Sequence, residues 1–481
     1  MIDKKLFSVD DCDKLTNTNV RELYKKYVNP AIEKIFGSFY FGEEVIEKAE
    51  GVWIFTKNNE KMLDTTGGIG VLNHGHNHPR ILQTRINYQK SKKMEVHKTV
   101  FSPYLGILSH NLAELLPGDL NYSFFCNSGA EAVEGAMKIA YKYHDGERKV
   151  ILHSNISFHG KLLGSASITN SKEMHFQYPK IPDTDSFEYD NIESVKAKIE
   201  EHKLSSSKSN VYALIIEPFS AGYQKGCSNE FLQELQKICN QNDIVLIFDE
   251  IYSGWYKTGK MFNFMQYNVI PDILTTSKSL GGGKASISAY VCRKHILEKS
   301  YGNVSDATLH TTTYNGFGEE CITAIEAINI MQEENYEQKS FEIERITKLR
   351  CSKLISQYPN EIEECRGSGA HYGIYIKKKK LFENFIKLLP INMTKDENFI
   401  SKLLAAAISD WLFKNYKILV IFERGEVALI FSPSLVITEE EINYFFDSFE
   451  KTLNEGLWKI TRKFVTKQFS NYINPSSKDE L

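Results

Sequence analysis

Lys278 stands at the end of an apolar-to-polar run, PDILTTSK, and is followed by Ser279, Leu280 and the triple glycine Gly281 to Gly283. Consecutive glycines let the backbone turn sharply and approach a neighbour closely, so a lysine there can project into a crowded pocket. Partial burial and cationic neighbours lower an amine's pKa and make it a nucleophile. Asp249 closes another apolar run, DIVLIFDEI. At the carboxyl end of a buried strand, such a carboxylate can face a protonated ring nitrogen of a bound heteroaromatic molecule. Asn127-Ser128-Gly129-Ala130 lies where a strand gives way to a helix. Ser128 suits an N-cap, and the glycine beside it opens backbone N–H groups to an anion that the helix dipole also favours. Phe158-His159-Gly160 adds a ring able to stack on a flat ligand, with space left by the glycine. Taken alone, each has an ordinary reading as well: a solvated lysine, a salt-bridging aspartate, a capped helix start, a core phenylalanine.

The order is more informative than any single motif. An anion loop, an aromatic-His-Gly turn and a strand-end aspartate are followed by a lysine twenty-nine residues after that aspartate. The set resembles the class III, or omega-type, aminotransferases, a family of pyridoxal-phosphate (PLP) enzymes of fold type I. The resemblance runs from about Gly51 to Leu435. It is carried by LDTTGGIGVLNHGHNHP, FFCNSGAEAVEGAMKIA, IIEP, IFDEIYSGWYKTG and PDILTTSKSLGGG.

That resemblance implies an α/β chain with a mainly parallel central sheet covered by helices, plus a smaller α+β domain. It implies PLP as cofactor. Lys278 would hold it as a Schiff base and shuttle the proton, and Asp249 would pair with the pyridine nitrogen; these two are the catalytic candidates. Ser128, Gly129 and Ala130 would hold the phosphate. Phe158, with His159 beside it, and Ile251 would pack on opposite ring faces. Glu217, in IIEP, would be a supporting carboxylate behind the cofactor. HTTTYNG, His310 to Gly316, resembles the segment that reaches across the family's dimer, so Thr313 would donate to the phosphate of the partner subunit's cofactor in a homodimer.

The chain departs from the family pattern in three places. Tyr252 stands where the family often has a glutamine that contacts the ring hydroxyl; a phenol can donate the same bond. After Glu217-Pro218 the chain reads FSAGY instead of VQGEGG, so an acidic residue that screens an active-site arginine is missing. ALIFSPSL puts Ile430 where many members carry an arginine for the substrate carboxylate. Arg366, in CRGSG, matches a position whose role is structural. These departures lean toward an amine or terminal-amino donor with an apolar body. Tyr223, Trp255 and Tyr256 are candidates for lining its pocket or, at least as readily, for core packing or surface placement.

The elements that must position these residues follow from periodicity. VWIFTKNNEKMLDTTGG reads as a hairpin and GHNHP as a loop. From about residue 105 to 320, short apolar runs (NYSFFCN, KVILHS, VYALIIEP, DIVLIFDEI) alternate with amphipathic helices such as GAEAVEGAMKIAYKY, with Ala130, Val133, Met137 and Ala140 on one face, and FLQELQKICNQN. That alternation implies a parallel sheet with both faces covered. EHKLSSSKSN reads as a surface loop. Cys321 to Leu354 reads as one long helix, followed by CRGSGAHYGIYI, a helix near 400 to 415, the strand ALIFSPSL and a helix from Glu439 to about Leu453. The expected division is 1–60, an N-terminal segment belonging to the small domain; 61–325, the large cofactor domain; and 326–481, the small domain.

Composition sets the outer limits. The 481 residues carry 58 basic and 61 acidic side chains, a net charge of -3, which argues against a nucleic-acid surface. The basic run Lys377 to Lys380 reads as a solvated strand end or loop. The eight cysteines form no CxxC pair and no zinc-ligand spacing, so no metal site is expected, and their scatter reads as reduced thiols. No apolar run is long enough to cross a bilayer. The terminal KDEL, Lys478 to Leu481, can serve as an ER-retention address; without a signal peptide at the N-terminus it is read as coincidence, and a cytoplasmic protein is expected. The function implied is amino-group transfer from an amine or terminal-amino donor to a keto acid or aldehyde. Two alternatives stay open: another class III PLP reaction (racemase, aminomutase, decarboxylase or phospho-lyase), and a non-catalytic scaffold that retains the fold.

Overall fold

A computed structural model describes residues 6–170, 181, 183–206, 208–377, 399–422 and 428–473. Lys378 to Lys380 and the terminal KDEL lie outside these residues.

The unbroken apolar runs are strands buried along their whole length: Val150–Ser154, Val211–Ile216 and Val245–Asp249. They belong to a seven-stranded sheet. Its order is Leu120–Cys126, Ser288–Arg293, Ile273–Thr276, Val245–Asp249, Val211–Ile216, Val150–Ser154 and Thr184–Phe187. Four neighbouring pairs are parallel. Ser288–Arg293 alone runs against both its neighbours, so Leu120–Cys126 points the same way as the parallel strands.

Side chains of these strands alternate between two cores, as period-2 geometry requires. Ile215, Ile247 and Ile273 pack with Val133, Ala136, Met137 and Ala140 of the helix Gly129–Tyr143. Leu214, Leu246, Phe248 and Leu274 pack on the other face with Leu232 and Leu235 of the helix Asn229–Asn242. Burying each such side chain contributes roughly 1.5–3 kcal/mol, so the sheet is a stiff platform. Ala130, in the first turn of its helix, stays half-buried at the sheet edge.

The expected hairpin is present: Trp53–Thr56 pairs antiparallel with Lys61–Asp64 in a four-stranded sheet. Ile418–Leu419 joins that sheet from late in the chain. The N-terminal segment meets the same late region, where Tyr40 N–H donates to Asp410 Oδ1 at 2.7 Å and Gln468 Nε2 to Ser38 O at 2.9 Å. A further antiparallel sheet has the order Ile362–Ser368, His371–Ile376, Ala428–Phe431, Ile421–Phe422. Helices Phe399–Tyr416 and Glu439–Asn454 accompany these strands, and a helix Leu457–Ile473 extends beyond the end read from the sequence.

The single helix expected over Cys321 to Leu354 is two. Gly318–Glu333 ends and Tyr336–Gln357 begins at Asn335, which adopts φ 50° and caps the second helix by accepting the Gln338 N–H at 3.3 Å. Asparagine tolerates that left-handed conformation and supplies the cap oxygen, so it interrupts a pattern that otherwise reads as continuous.

Candidate active site

Six strands of the large sheet point the same way, and five of them deliver a candidate residue at or just past the carboxyl end. Ser128 to Ala130 follow Leu120–Cys126, and Phe158 to Gly160 follow Val150–Ser154. Glu217 follows Val211–Ile216, Asp249 ends its own strand, and Lys278 follows Ile273–Thr276. Asp249 and Thr275 are register partners on adjacent strands, which puts Asp249 and Lys278 on one sheet edge.

Asp249 is buried. Its Oδ1 accepts from Thr275 Oγ1 and from Ile251 N–H, both at 3.1 Å. Its Oδ2 accepts from His159 Nδ1 at 2.7 Å. A carboxylate offers no proton, so the imidazole proton sits on Nδ1. His159 is itself fixed, its backbone N–H donating to Thr169 Oγ1 at 2.9 Å. Neither lysine nor arginine pairs with Asp249 among the described residues.

Glu217 is buried beside this pair and accepts the N–H of Phe158 at 2.9 Å and of Ala221 at 3.4 Å. Burial pushes its carboxyl up to about 7; His159 opposes that rise and Asp249 adds to it. Glu217 therefore anchors the Phe158 backbone. The Phe158 ring is 44% exposed, which rules out a core role and leaves it open at the strand edge.

The helix start at Ser128 has a full capping box. The Glu131 carboxylate accepts from Ser128 N–H at 2.7 Å, Ser128 Oγ at 3.0 Å and Asn127 N–H at 3.0 Å. The amides of Gly129 and Ala130 are the ones it leaves open among the described residues, at the positive end of a fifteen-residue helix. Ser288 Oγ pins this loop by donating to Ser128 O at 2.7 Å. A Cβ on Gly129 would sit 2.8 Å from Ile251 Cδ1, so the glycine lets Ile251 lie against the helix start.

Lys278 adopts φ 51°, a left-handed conformation costing a side-chain-bearing residue roughly 1–2 kcal/mol. Such strain gathers at functional positions. Ser279 Oγ donates to Gly70 O at 2.8 Å and so ties the early glycine segment to the lysine turn. The Lys278 Nζ lies 4.5 Å from the centroid of the Tyr252 ring.

Other sequence candidates fall elsewhere. Trp255 and Tyr256 are core residues: Trp255 Nε1 donates to Thr276 Oγ1 at 2.8 Å, and Gln332 Nε2 donates to Tyr256 Oη at 2.6 Å. Arg366 binds Tyr223 O at 2.9 Å and the Tyr375 hydroxyl at 2.7 Å, a structural role. Ile430 is buried in a small cluster with Tyr375 and Ala428. Thr313 is exposed. Residues that sequence reasoning missed include Thr275, which orients Asp249, and the group Lys257, His371 and Ser432 around Tyr252. Lys257 is fully buried, donates to Ser432 O and Pro433 O at 3.1 and 2.6 Å, and has its pKa brought down to about 7 by burial. A cation in GWYKTG, eight residues past Asp249, was the available signal.

These residues fit PLP. A buried carboxylate without a cationic side chain calls for a compensating charge, which a protonated ring nitrogen supplies, and the two open helix amides suit a phosphate.

The comparisons with known proteins agree. The family described as aminotransferase class-III matches residues 41–453, and the chain belongs to that family. It is a PLP-dependent aminotransferase, as the motif resemblance implied. Among solved structures it is similar to the ornithine aminotransferase of Toxoplasma gondii ME49, with 23% identity, TM-score 0.75, and coverage of 94% of this chain and 100% of that one. The acetylornithine aminotransferase of Elizabethkingia anophelis shares 24% identity over 92% of this chain and 99% of that one, with TM-score 0.70. An omega-aminotransferase from Paracoccus denitrificans shares 19% over 86% and 94%, with TM-score 0.75. At these identities the likeness is one of fold, and the fold is PLP-dependent transferase fold type I.

Proposed function

We propose that Lys278 carries PLP and that the protein moves an amino group from an amine or terminal-amino donor to a keto acid or aldehyde. The observation that carries this reading is the meeting of Lys278, Asp249 and the open amides of Gly129 and Ala130 on one edge of the sheet. When bound, PLP supplies an electron-withdrawing ring that accepts the electron pair released at the substrate carbon. Asp249, held by Thr275 and His159, keeps a negative charge at the ring nitrogen. The open amides of Gly129 and Ala130 hold the phosphate, at a helix start that Ser128 caps. Phe158 and Ile251 flank the ring, and Glu217 fixes Phe158 by its backbone. Lys278 would carry the proton taken from the substrate carbon.

The donor assignment is supported by Ile430, whose apolar, buried side chain cannot bind an anion. A homodimer with Thr313 contributed in trans is supported by the apolar surface around it. Leu309 and Tyr314 are 55% and 54% exposed, and Lys98, near the fully exposed Phe101, donates to Thr312 O. Such a patch calls for a covering partner. The cysteines, all free, suit a reducing cytoplasm.

The test is optical. The PLP-loaded protein should absorb in the visible, lose that band in Lys278→Ala, and change it on adding an amine donor. Recovery of the band should require a keto acid or aldehyde. Turnover without an acceptor would replace transfer by another reaction of the family, and a protein that never takes up PLP would end the reading.

A further inference from the structure

Tyr252 stands three residues after Asp249, and its hydroxyl meets two side chains from late in the chain. Ser432 Oγ lies at 3.0 Å and His371 Nδ1 at 3.2 Å, and these two atoms are themselves 3.0 Å apart. His371 Nε2 lies 2.9 Å from Ala221 O. A carbonyl only accepts, so the imidazole proton sits on Nε2 and Nδ1 is an acceptor. His371 is fully buried, and burial, with Lys257 and Lys278 nearby, brings its pKa down to about 3. It stays neutral, and its tautomer does not change over the working range. Two hydroxyl protons then serve the three edges of the triangle: one goes to Nδ1 and the other runs between the hydroxyls. The phenol is gripped by a pair that pH leaves alone.

The other end of this arrangement is Lys278, whose Nζ lies over the Tyr252 ring. A Cβ on Gly70 would meet Tyr252 Cε2 at 3.2 Å and Lys278 Cδ at 3.4 Å, so the Gly70 backbone presses the ring and the lysine stem together. Tyr252 and Lys257, from the turn after Asp249, and His371, from the strand His371–Ile376, are titratable groups set against Lys278. Lys257 opposes a second positive charge, His371 is neutral, and Gly70 brings no charge. The ring face is the group among these that favours a cation.

We propose that Tyr252 is a positioning residue for Lys278: held by His371 and Ser432, its ring covers the lysine nitrogen and favours the protonated form. The inference deepens the reading of Lys278 as the cofactor-bearing lysine, and its loaded-protein measurement rests on that reading.

Two titrations on the full-length protein test it. In the PLP-loaded protein, the pH midpoint of the lysine-bound absorbance is followed. In the protein freed of PLP, the pH profile of Lys278 acylation is read by peptide mass spectrometry, since only the unprotonated amine reacts. Tyr252→Leu should lower both midpoints by about half a unit or more, the size expected of a cation over a ring. Tyr252→Phe and His371→Leu, which keep a ring but release the grip, should move them the same way by less. His371→Gln, which retains a donor for Ala221 and an acceptor for the phenol, should restore the wild-type midpoints. Coincident midpoints in Tyr252→Leu and wild type would overturn the proposal. If Tyr252→Leu does not fold, coincidence of Tyr252→Phe and His371→Leu with wild type would do so. Shifted acylation midpoints in a protein that never binds PLP would uphold the positioning role while ending the cofactor reading; normal PLP loading with coincident midpoints would end the positioning role alone.

Discussion

Replacing Glu217 by glutamine tests whether the acid beside Asp249 is held in its neutral form. Its carboxyl is buried and receives two backbone N–H groups, from Phe158 and Ala221, while the charge of Asp249 faces it. Burial raises its pKa from the ordinary 4.5 to about 7. The folded protein therefore holds this proton more tightly than the unfolded chain does. The stabilisation is complete below the ordinary value and is lost as pH climbs through about 7. At 1.36 kcal/mol per pH unit, that interval corresponds to roughly 3 kcal/mol. Glutamine keeps the volume and one acceptor but cannot ionise. Urea unfolding of both proteins, at fixed protein and PLP concentrations, gives the free-energy difference at each pH. Glu217→Gln should gain on wild type by roughly 3 kcal/mol between about pH 4.5 and about pH 8. Glu250, also raised to about 7 by burial, loses stability equally in both proteins and cancels. Parallel stability curves would refute the reasoning.

Asp249→Asn removes the charge that His159 and Thr275 hold in place. PLP affinity should fall at least about thirtyfold, since breaking a buried charge pair costs roughly 2–5 kcal/mol; titration of the PLP-free protein measures it, and unchanged affinity would contradict the pairing. Gly129→Val puts a side chain where Ile251 now lies and crowds the open amides. About a tenfold loss of PLP affinity is expected, the worth of one charge-assisted hydrogen bond, with the circular dichroism spectrum unchanged. Asn335→Ala loses a helix cap and retains a left-handed backbone; thermal unfolding should show roughly 1–2 kcal/mol of destabilisation.

Much of this architecture is legible in local sequence. Strands covered on both faces leave unbroken apolar runs, so Val211–Ile216 and Val245–Asp249 are readable at once, and with them the strand-end placement of Asp249 and Lys278. The capped helix start at Ser128 is readable from the residue types alone. Strand direction is not: nothing within Ser288–Arg293 records that it runs against its neighbours, because alternation is the same in both senses. The break at Asn335 is hidden because helical patterning resumes directly after it. Trp255 and Tyr256 read from sequence as pocket lining, core packing or surface alike, and only their positive φ angles of 58° and 66° and their tertiary partners settle them in the core. The grip on Tyr252 joins residues 119 and 180 positions apart, and no local pattern reports such a meeting.

In the proposed function, one bond joins the Lys278 nitrogen to the cofactor. Borohydride reduction of the PLP-loaded protein, followed by peptide mapping, locates it, because reduction makes the linkage permanent. A single phosphopyridoxyl label on the peptide that contains Lys278 is the predicted result. A label on another lysine, or none on any, would contradict the account.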